Sequence, residues 1–207
     1  MKQLLIIAAL LCSSMLFAAE FEEGKHYKIV SENASKAAEV QEFFSYFCPH
    51  CFNFEPVVAN LKPTLPDGVP FKKVPVGFMG QQMGPELQRA FASAQLLNIE
   101  DKITAALFQQ IHVNRKAPAN REQLQQVFEA QGISADTFNS TINSMPVMAA
   151  VSEFDQQREK LNITSVPSFV VNGRYLVNVS SLKSQEEFNA LINFLLNDAS
   201  APSGSNH

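Results

Sequence analysis

The chain has 207 residues, of which 46% are hydrophobic, and its 16 basic and 20 acidic side chains give a formal net charge of −4. This length is enough for one sizeable domain, or for a domain with a large insertion, and for a buried core. The mildly acidic balance excludes the basic face of a nucleic-acid-binding protein, so we expect no nucleic-acid partner.

The N-terminal residues 1–18 have the pattern of a secretory signal peptide. Lys2 supplies a positive charge, residues 4–16 form a continuous apolar run, and small residues follow it, so that cleavage is expected after Ala18 or Ala19. The run is shorter than the roughly 20 residues that a membrane-spanning helix needs. We therefore expect an exported protein.

After that cleavage, the chain keeps one closely spaced cysteine pair, Cys48 and Cys51, because Cys12 lies within the signal peptide. A structural zinc site would need two further ligands, and the histidines have no paired spacing that would supply them. A permanent structural disulfide of this size would add little loop entropy. We expect no metal and no cofactor, and the favoured interpretation is a redox-active pair.

The pair is predicted to lie where a strand is followed by a helix. Residues 40–47 are mostly apolar and aromatic and predict a central strand, while Pro49 suits the first turn of a helix. That helix is expected to be kinked at Pro56 and to end near Pro63. A second strand is predicted over residues 71–76, which completes a β-α-β unit.

From about residue 80 to residue 162 the pattern becomes helical. Apolar residues recur at intervals of three and four, Asn120 and Ser134 are suited to cap two of the helices, and Gly132 is suited to end one. This segment is therefore expected to be a block of helices.

The C-terminal part returns to strands. Residues 168–171 and 174–177 are apolar-rich and flank Asn172-Gly173, the strongest short signal for a two-residue hairpin turn. A capping box that begins at Ser184 predicts a final amphipathic helix.

The chemistry of the pair follows from its position. Cys48 at a helix N-terminus has backbone N–H groups and the helix dipole to stabilise its thiolate, and His50, if protonated, adds positive charge beside it. Cys51 would be the resolving thiol. Because a stabilised thiolate favours the reduced form, the Pro49-His50 dipeptide predicts a disulfide that oxidises other thiols.

Glu42 is an acidic residue inside the predicted strand, where acids are uncommon. It either faces solvent or is a buried carboxylate that relays the proton of the resolving thiol. Lys73 on the next strand either pairs with Glu42 or is a solvated residue beside Lys72.

Taken together, these motifs closely resemble the DsbA family of periplasmic thiol-disulfide oxidants. The resemblance is carried by Cys48-Pro49-His50-Cys51 after residues 42–47, by residues 78–80, and by Val166-Pro167 ahead of residues 171–175. It implies an α/β protein with a thioredoxin fold and an inserted all-helical domain. The implied division is a signal peptide at 1–18, a thioredoxin-like domain at 19–78 and 157–197, a helical domain at 79–156 and a disordered tail at 198–207.

The resemblance also implies roles for individual residues. Cys48 matches the exposed nucleophilic cysteine of the family, Cys51 its buried partner, and His50 the residue that tunes the couple. Glu42 and Lys73 match a buried charged pair beneath the disulfide.

The same resemblance matches Pro167 to a cis-proline whose loop holds substrate, with Val166 before it. Pro75 and Pro56 depart from the family pattern near the site. The implied partners are reduced, unfolded exported proteins and a membrane quinone-linked thiol oxidase of the DsbB type that reoxidises the pair, and the implied setting is a monomer in the periplasm.

Three other functions are compared with the sequence pattern. A disulfide isomerase or reductase could use the same fold, but such isomerases usually carry a separate dimerisation domain, for which the chain has no room before residue 40. A periplasmic chaperone could carry the disulfide incidentally. A glutathione-dependent isomerase normally lacks the second cysteine.

Overall fold

The computed structural model describes residues 21–197, so the predicted signal peptide and the predicted tail lie outside the described residues. In the described part the strands are β1 (Tyr27–Ile29), β2 (Val40–Phe44), β3 (Phe71–Pro75), β4 (Ser168–Val171) and β5 (Tyr175–Val177). The α-helices are α1 (Pro49–Leu61), α2 (Met83–Leu96), α3 (Glu100–Phe108), α4 (Arg121–Ala130), α5 (Ala135–Ile142), α6 (Met145–Lys160) and α7 (Gln185–Leu196).

The five strands form one mixed sheet in the order β1-β5-β4-β2-β3. β2 pairs parallel with β3 and antiparallel with β4, and all five of its residues are buried, as the apolar run predicted. It ends at Phe44, three residues earlier than expected, because the chain turns before α1. β1 was not predicted, since three residues are too few for a periodic signal.

All the helices between β3 and β4 in the described chain, α2 to α6, form the expected helical insertion. The caps predicted at Asn120 and Ser134 are confirmed, because their side chains accept the backbone N–H of Gln123 and Thr137 respectively. The domain boundaries themselves stay a prediction. In residues 21–197, no helix is both long enough and apolar enough to cross a membrane.

The hairpin turn is also confirmed, because Asn172 and Gly173 both have positive φ, at 54° and 59°. This turn sets β4 antiparallel to β5. At the N-terminus of α7, the Ser184 hydroxyl accepts a hydrogen bond from the amide of Glu187, as predicted. The Glu187 carboxylate in turn accepts a hydrogen bond from the amide of Lys183.

Two apolar clusters hold the sheet between its helices. One packs α1 and α7 against one face, and the other joins the opposite face to the inserted helices. Phe44 of β2 contacts both Phe91 of α2 and Phe108 of α3, with ring centroids 5.4 and 6.1 Å apart. The C-terminal end of β2, where the cysteine motif follows, is therefore covered by the helical insertion.

Candidate active site

Cys48 lies at the N-terminal end of α1. Its backbone is extended, with φ −87° and ψ 113°, and Pro49 begins the helix, where its lack of an N–H costs nothing. The amide of Cys48 donates to the carbonyl of Ser45 at 3.0 Å, which closes the turn after β2. The strand, turn and helix thus place the Cys48 sulfur at the positive end of the α1 dipole.

The surroundings of Cys48 favour its thiolate. Its sulfur accepts a hydrogen bond from the amide of Cys51 at 3.2 Å. The hydrogen bond from the Cys51 thiol lowers the pKa of Cys48 to about 6, helped by the backbone amides of Cys51 and His50 and by the charge of His50, although burial opposes the shift. Pro49 and His50 themselves are exposed.

Cys51 has the opposite character. It is fully buried, and its hydrogen bond to Cys48 raises the pKa of its thiol, as do burial and the charges of Cys48 and Glu42. At neutral pH the reduced pair therefore holds one thiolate, at Cys48, and one thiol, at Cys51. This division of roles agrees with a nucleophile and a resolving cysteine.

Alkylation of the reduced protein should show this difference directly. We expect Cys48 to react with iodoacetamide with a midpoint at about pH 6, against about 8.5 for the urea-unfolded control. Because the folded pKa is the lower one, the thiolate stabilises the reduced fold above about pH 8.5, and this stabilisation is lost as the pH falls through about 6. Mass spectrometry at each pH would measure it, and equal folded and unfolded midpoints would contradict it.

One expectation for Cys48 is wrong: the residue is buried, with 3% of its surface exposed, although the resemblance implied an exposed cysteine. The reason is the loop before β4, whose Val166 carbonyl oxygen lies 3.4 Å from the Cys48 sulfur. The bond between Val166 and Pro167 is cis, as the resemblance implied. A loop distant in sequence therefore lies directly against the cysteine.

Glu42 and Lys73 form a buried ion pair. The parallel register of β2 and β3 sets them opposite each other, and Lys73 Nζ lies 2.9 Å from Glu42 Oε2. The side chains are 0% and 5% exposed respectively, so the solvent-facing alternatives for both residues do not hold. Neither Glu42 oxygen has a hydrogen bond of good geometry among the described residues, so the ion pair is its main stabilising contact.

A third charged residue, Glu55, belongs to this cluster and was missed from the sequence. Its Oε1 lies 2.5 Å from Lys73 Nζ, and 31% of its side chain is exposed. The sequence pattern that could have identified Glu55 is helical spacing, because Glu55 follows Cys51 by four residues on α1 and so lies on the same helix face. One buried ammonium group therefore serves two carboxylates.

This arrangement sets the pKa of Glu42 near neutral pH. Burial raises the pKa of Glu42 to about 7, although the positive charge of Lys73 beside it opposes the rise. For Lys73, burial alone would lower the pKa, but the charges of Glu42 and Glu55 outweigh it and raise the pKa. A buried carboxyl group that titrates near neutral pH is suited to proton transfer.

Pro75 and Pro56, the two prolines that depart from the family pattern, lie in a strand and in a helix respectively. Pro75 lies at the end of β3, an edge strand of the sheet among the described residues, where a missing N–H is tolerated, and its carbonyl accepts the side chain of Gln88 at 3.0 Å. Pro56 lies within α1, which continues through it to Leu61.

His112, which lies in the turn after α3, is a second residue to which no sequence pattern pointed. Its Nε2 lies 2.8 Å from the carbonyl oxygen of Tyr46, two residues before Cys48. Among residues 21–197 no group of three or more metal-binding side chains occurs, so His112 does not belong to a candidate metal site there.

Comparisons with known proteins agree on one family. The model of the family described as DSBA-like thioredoxin domain matches residues 39–193. A protein of Escherichia coli named thiol:disulfide interchange protein DsbA is 35% identical over 177 residues, which cover 84% of this chain and 85% of that protein. A protein of the same name from Haemophilus influenzae is 36% identical over 189 residues, covering 88% and 91%.

Solved structures give the same result. A DsbA disulfide interchange protein from Klebsiella pneumoniae has a TM-score of 0.80 and 28% identity, covering 87% of this chain and all of that one. A DsbA variant from Proteus mirabilis, crystallised with a non-covalently bound peptide of sequence PWATCDS, has the same TM-score and identity and covers 86% and 99%. The expected thioredoxin fold with a helical insertion is thereby confirmed.

Proposed function

Because this chain belongs to the DsbA family of thioredoxin-fold thiol:disulfide interchange proteins, we propose that it is a thiol oxidant that donates a Cys48–Cys51 disulfide to reduced proteins. The observation that carries the proposal is the asymmetry of the two cysteines. The Cys48 sulfur lies at the N-terminus of α1 and accepts the Cys51 amide at 3.2 Å, which favours a lowered pKa, whereas Cys51 is fully buried and its pKa is raised. Stabilising the Cys48 thiolate stabilises the reduced protein, and this makes the disulfide a strong oxidant. DsbA is itself the familiar example of such an oxidising couple, so membership of the family also predicts that the disulfide oxidises substrate thiols.

The first step of the proposed reaction forms a mixed disulfide. A substrate thiolate attacks the Cys48 sulfur, the Cys48–Cys51 bond breaks, and the electron pair leaves with the Cys51 sulfur. Because the pKa of Cys51 is raised, this sulfur takes up a proton. Glu42, with a pKa of about 7 and a charge that acts on Cys51, is the proposed proton relay, and Lys73 holds it in place.

The second step releases the oxidised substrate. A second substrate thiolate attacks the substrate sulfur of the mixed disulfide, and Cys48 leaves as a thiolate. Its low pKa makes it a good leaving group. Two electrons have then passed from two substrate thiols to the protein, which ends as the dithiol.

The loop at Val166 and Pro167 is proposed to hold the substrate chain beside Cys48. The support is its position, since the Val166 carbonyl lies 3.4 Å from the Cys48 sulfur. The bound peptide in the Proteus mirabilis structure contains a cysteine, which is the kind of ligand that this role needs. His50, exposed beside Cys48, is proposed to tune the couple through its charge.

The setting of the reaction is also a proposal. We place the protein in the periplasm, exported by the signal peptide predicted at residues 1–18, acting as a monomer on reduced, unfolded exported proteins. A membrane quinone-linked thiol oxidase of the DsbB type would reoxidise it. The proposed domains are those expected from the resemblance, with the helical domain at residues 79–156 inside the thioredoxin-like domain.

A stoichiometric assay tests the proposal. The oxidised protein is mixed with a reduced, unfolded protein that has two cysteines, without any other oxidant. We expect one substrate disulfide to form for each Cys48–Cys51 disulfide that is reduced. An isomerase would instead reactivate a scrambled substrate efficiently, and a chaperone would suppress aggregation without any change in thiol content, so either result would contradict the oxidant function.

A further inference from the structure

His112 connects the helical insertion to the chain segment that carries the active site. Its Nε2 lies 2.8 Å from the Tyr46 carbonyl oxygen, and its ring stacks on Phe52, one residue after Cys51, with centroids 5.2 Å apart and planes inclined by 12°. Because a carbonyl oxygen can only accept, the Nε2 of His112 must carry the hydrogen. One side chain thus contacts the segments on both sides of the cysteine motif.

An irregular turn after α3 presents His112 in this direction. In the segment Gln109–Val113 the backbone widens to a π-helical turn, and the amide of Asn114 donates to the carbonyl of Gln109 at 3.0 Å. Such insertions rotate one side chain away from the direction of a regular helix and are frequent at functional sites. A second contact from the same helical region reinforces the first, since Thr104 hydrogen bonds the Tyr46 hydroxyl at 3.0 Å.

The peptide group that joins Tyr46 to Phe47 is held at both ends. His112 binds the Tyr46 carbonyl oxygen of this group, and the Phe47 amide of the same group donates to the Ser45 hydroxyl at 3.2 Å. The same turn is closed by the amide of Cys48, which donates to the Ser45 carbonyl. Rotation of this peptide group would therefore disturb the turn that sets Cys48 at the end of α1.

We propose that His112 is a positioning residue for the redox reaction, which holds the Tyr46–Phe47 peptide so that the reduced Cys48 stays at the N-terminus of α1. The inference rests on the proposed oxidant function and adds a residue of the helical insertion to it. In the oxidised protein a covalent ring would hold Cys48 near Cys51 whether or not His112 is present. In the reduced protein non-covalent contacts alone hold the Cys48 sulfur against the Cys51 amide, among them the hydrogen bonds of the turn, so loss of the His112 contact should weaken the reduced form more.

Matched variants separate the hydrogen bond from the ring. His112→Phe keeps an aromatic ring against Phe52 but removes the donor, and His112→Gln restores an N–H at a similar distance without the ring. We expect His112→Phe to make the couple less oxidising. Its equilibrium constant with glutathione should fall about three- to tenfold, the range of one net hydrogen bond. His112→Gln should stay within about twofold of the wild type.

The stability of the two redox forms is the second readout. We expect His112→Phe to lower the unfolding midpoint of the reduced protein more than that of the oxidised protein. A merely structural residue would destabilise both forms equally and leave the glutathione equilibrium unchanged, and that result would overturn the inference. So would a His112→Gln variant as impaired as His112→Phe, because the ring rather than the hydrogen bond would then be responsible.

If His112→Phe folds poorly, Ser45→Ala removes the contact at the other end of the same peptide. It should shift the glutathione equilibrium in the same direction, and an unchanged equilibrium would contradict the inference. A wild-type couple as reducing as thioredoxin would refute the oxidant function, but the shift between wild type and variants would still be measurable. The two failures are therefore distinguishable.

Discussion

Replacing Cys48 with Ser is expected to reduce the oxidation of a reduced substrate to the uncatalysed background. The hydroxyl cannot form the disulfide that the substrate attacks, so no two-electron transfer remains. The variant should keep its fold, because Ser is close to Cys in size and can still accept the Cys51 amide at the helix N-terminus. The assay is the stoichiometric oxidation of a reduced substrate, with circular dichroism to show that the fold is intact.

The matched variant, Cys51→Ala, should behave differently. It keeps the Cys48 sulfur at the N-terminus of α1 but lacks the resolving thiol. When the Cys48 thiolate attacks a disulfide of a partner protein, one partner sulfur leaves as a thiolate, and the mixed disulfide that forms cannot be released from the protein side. Expressed as the full chain, it should accumulate covalent complexes that mass spectrometry can identify, while Cys48→Ser should accumulate none. Trapping by Cys48→Ser, or oxidation by it at the wild-type level, would refute the assignment of Cys48 as the nucleophile.

The second large effect concerns the buried ammonium group of Lys73. Replacing Lys73 with Met removes the cation that lies 2.9 Å from Glu42 and 2.5 Å from Glu55. Glu55 is partly exposed and can be solvated, but Glu42 is fully buried and is left without a counter-charge. Leaving one charge of a buried pair uncompensated typically lowers the free energy of unfolding by about 3–5 kcal/mol.

The loss should depend on pH in a defined direction. The folded pKa of Glu42, about 7, is already above that of an unfolded glutamate, and removal of Lys73 should raise it further. An acid with a raised folded pKa costs nothing below its unfolded pKa. Its destabilising effect grows as the pH rises from the unfolded pKa to the folded pKa and is complete above the folded pKa. Urea unfolding of Lys73→Met should therefore show a smaller loss at about pH 5 than at about pH 8.

Lys72 provides the control for that experiment. It is the neighbouring residue on β3 and pairs with Glu39 at 2.7 Å, but 54% of its side chain is exposed. Lys72→Met should cost less than about 1 kcal/mol at either pH, because exposed ion pairs contribute little. Combining Lys73→Met with Glu42→Gln should recover much of the lost stability at high pH. Equal losses for the Lys72 and Lys73 variants would contradict a buried role for Lys73.

Local patterns in the sequence were sufficient for most of the fold. The apolar run before the cysteines, the caps at Asn120 and Ser134, and the Asn172-Gly173 turn each depend on residues close in sequence, and the structure confirms them. β1 was missed because its three residues, two of them exposed, form a strand through pairing with β5. Tertiary pairing of this kind leaves no periodic signal.

The site was predictable to the same extent. Cys48, Cys51 and the Glu42–Lys73 pair followed from the motif, the strand order and the family resemblance. The burial of Cys48 could not be predicted, because the carbonyl of Val166 that covers it comes from a loop 118 residues away. His112 was missed for the same reason, since a helical segment with no link to the motif brings it to the active-site turn.

The redox equilibrium of the purified protein with glutathione tests the central claim most directly. The fraction of reduced protein is followed at neutral pH across a series of glutathione ratios, and the equilibrium constant is obtained from it. The stabilised Cys48 thiolate predicts a couple more oxidising than thioredoxin, which lies at about −270 mV, by at least about 60 mV, or roughly a hundredfold in the constant. A potential equal to that of thioredoxin would contradict the oxidant function.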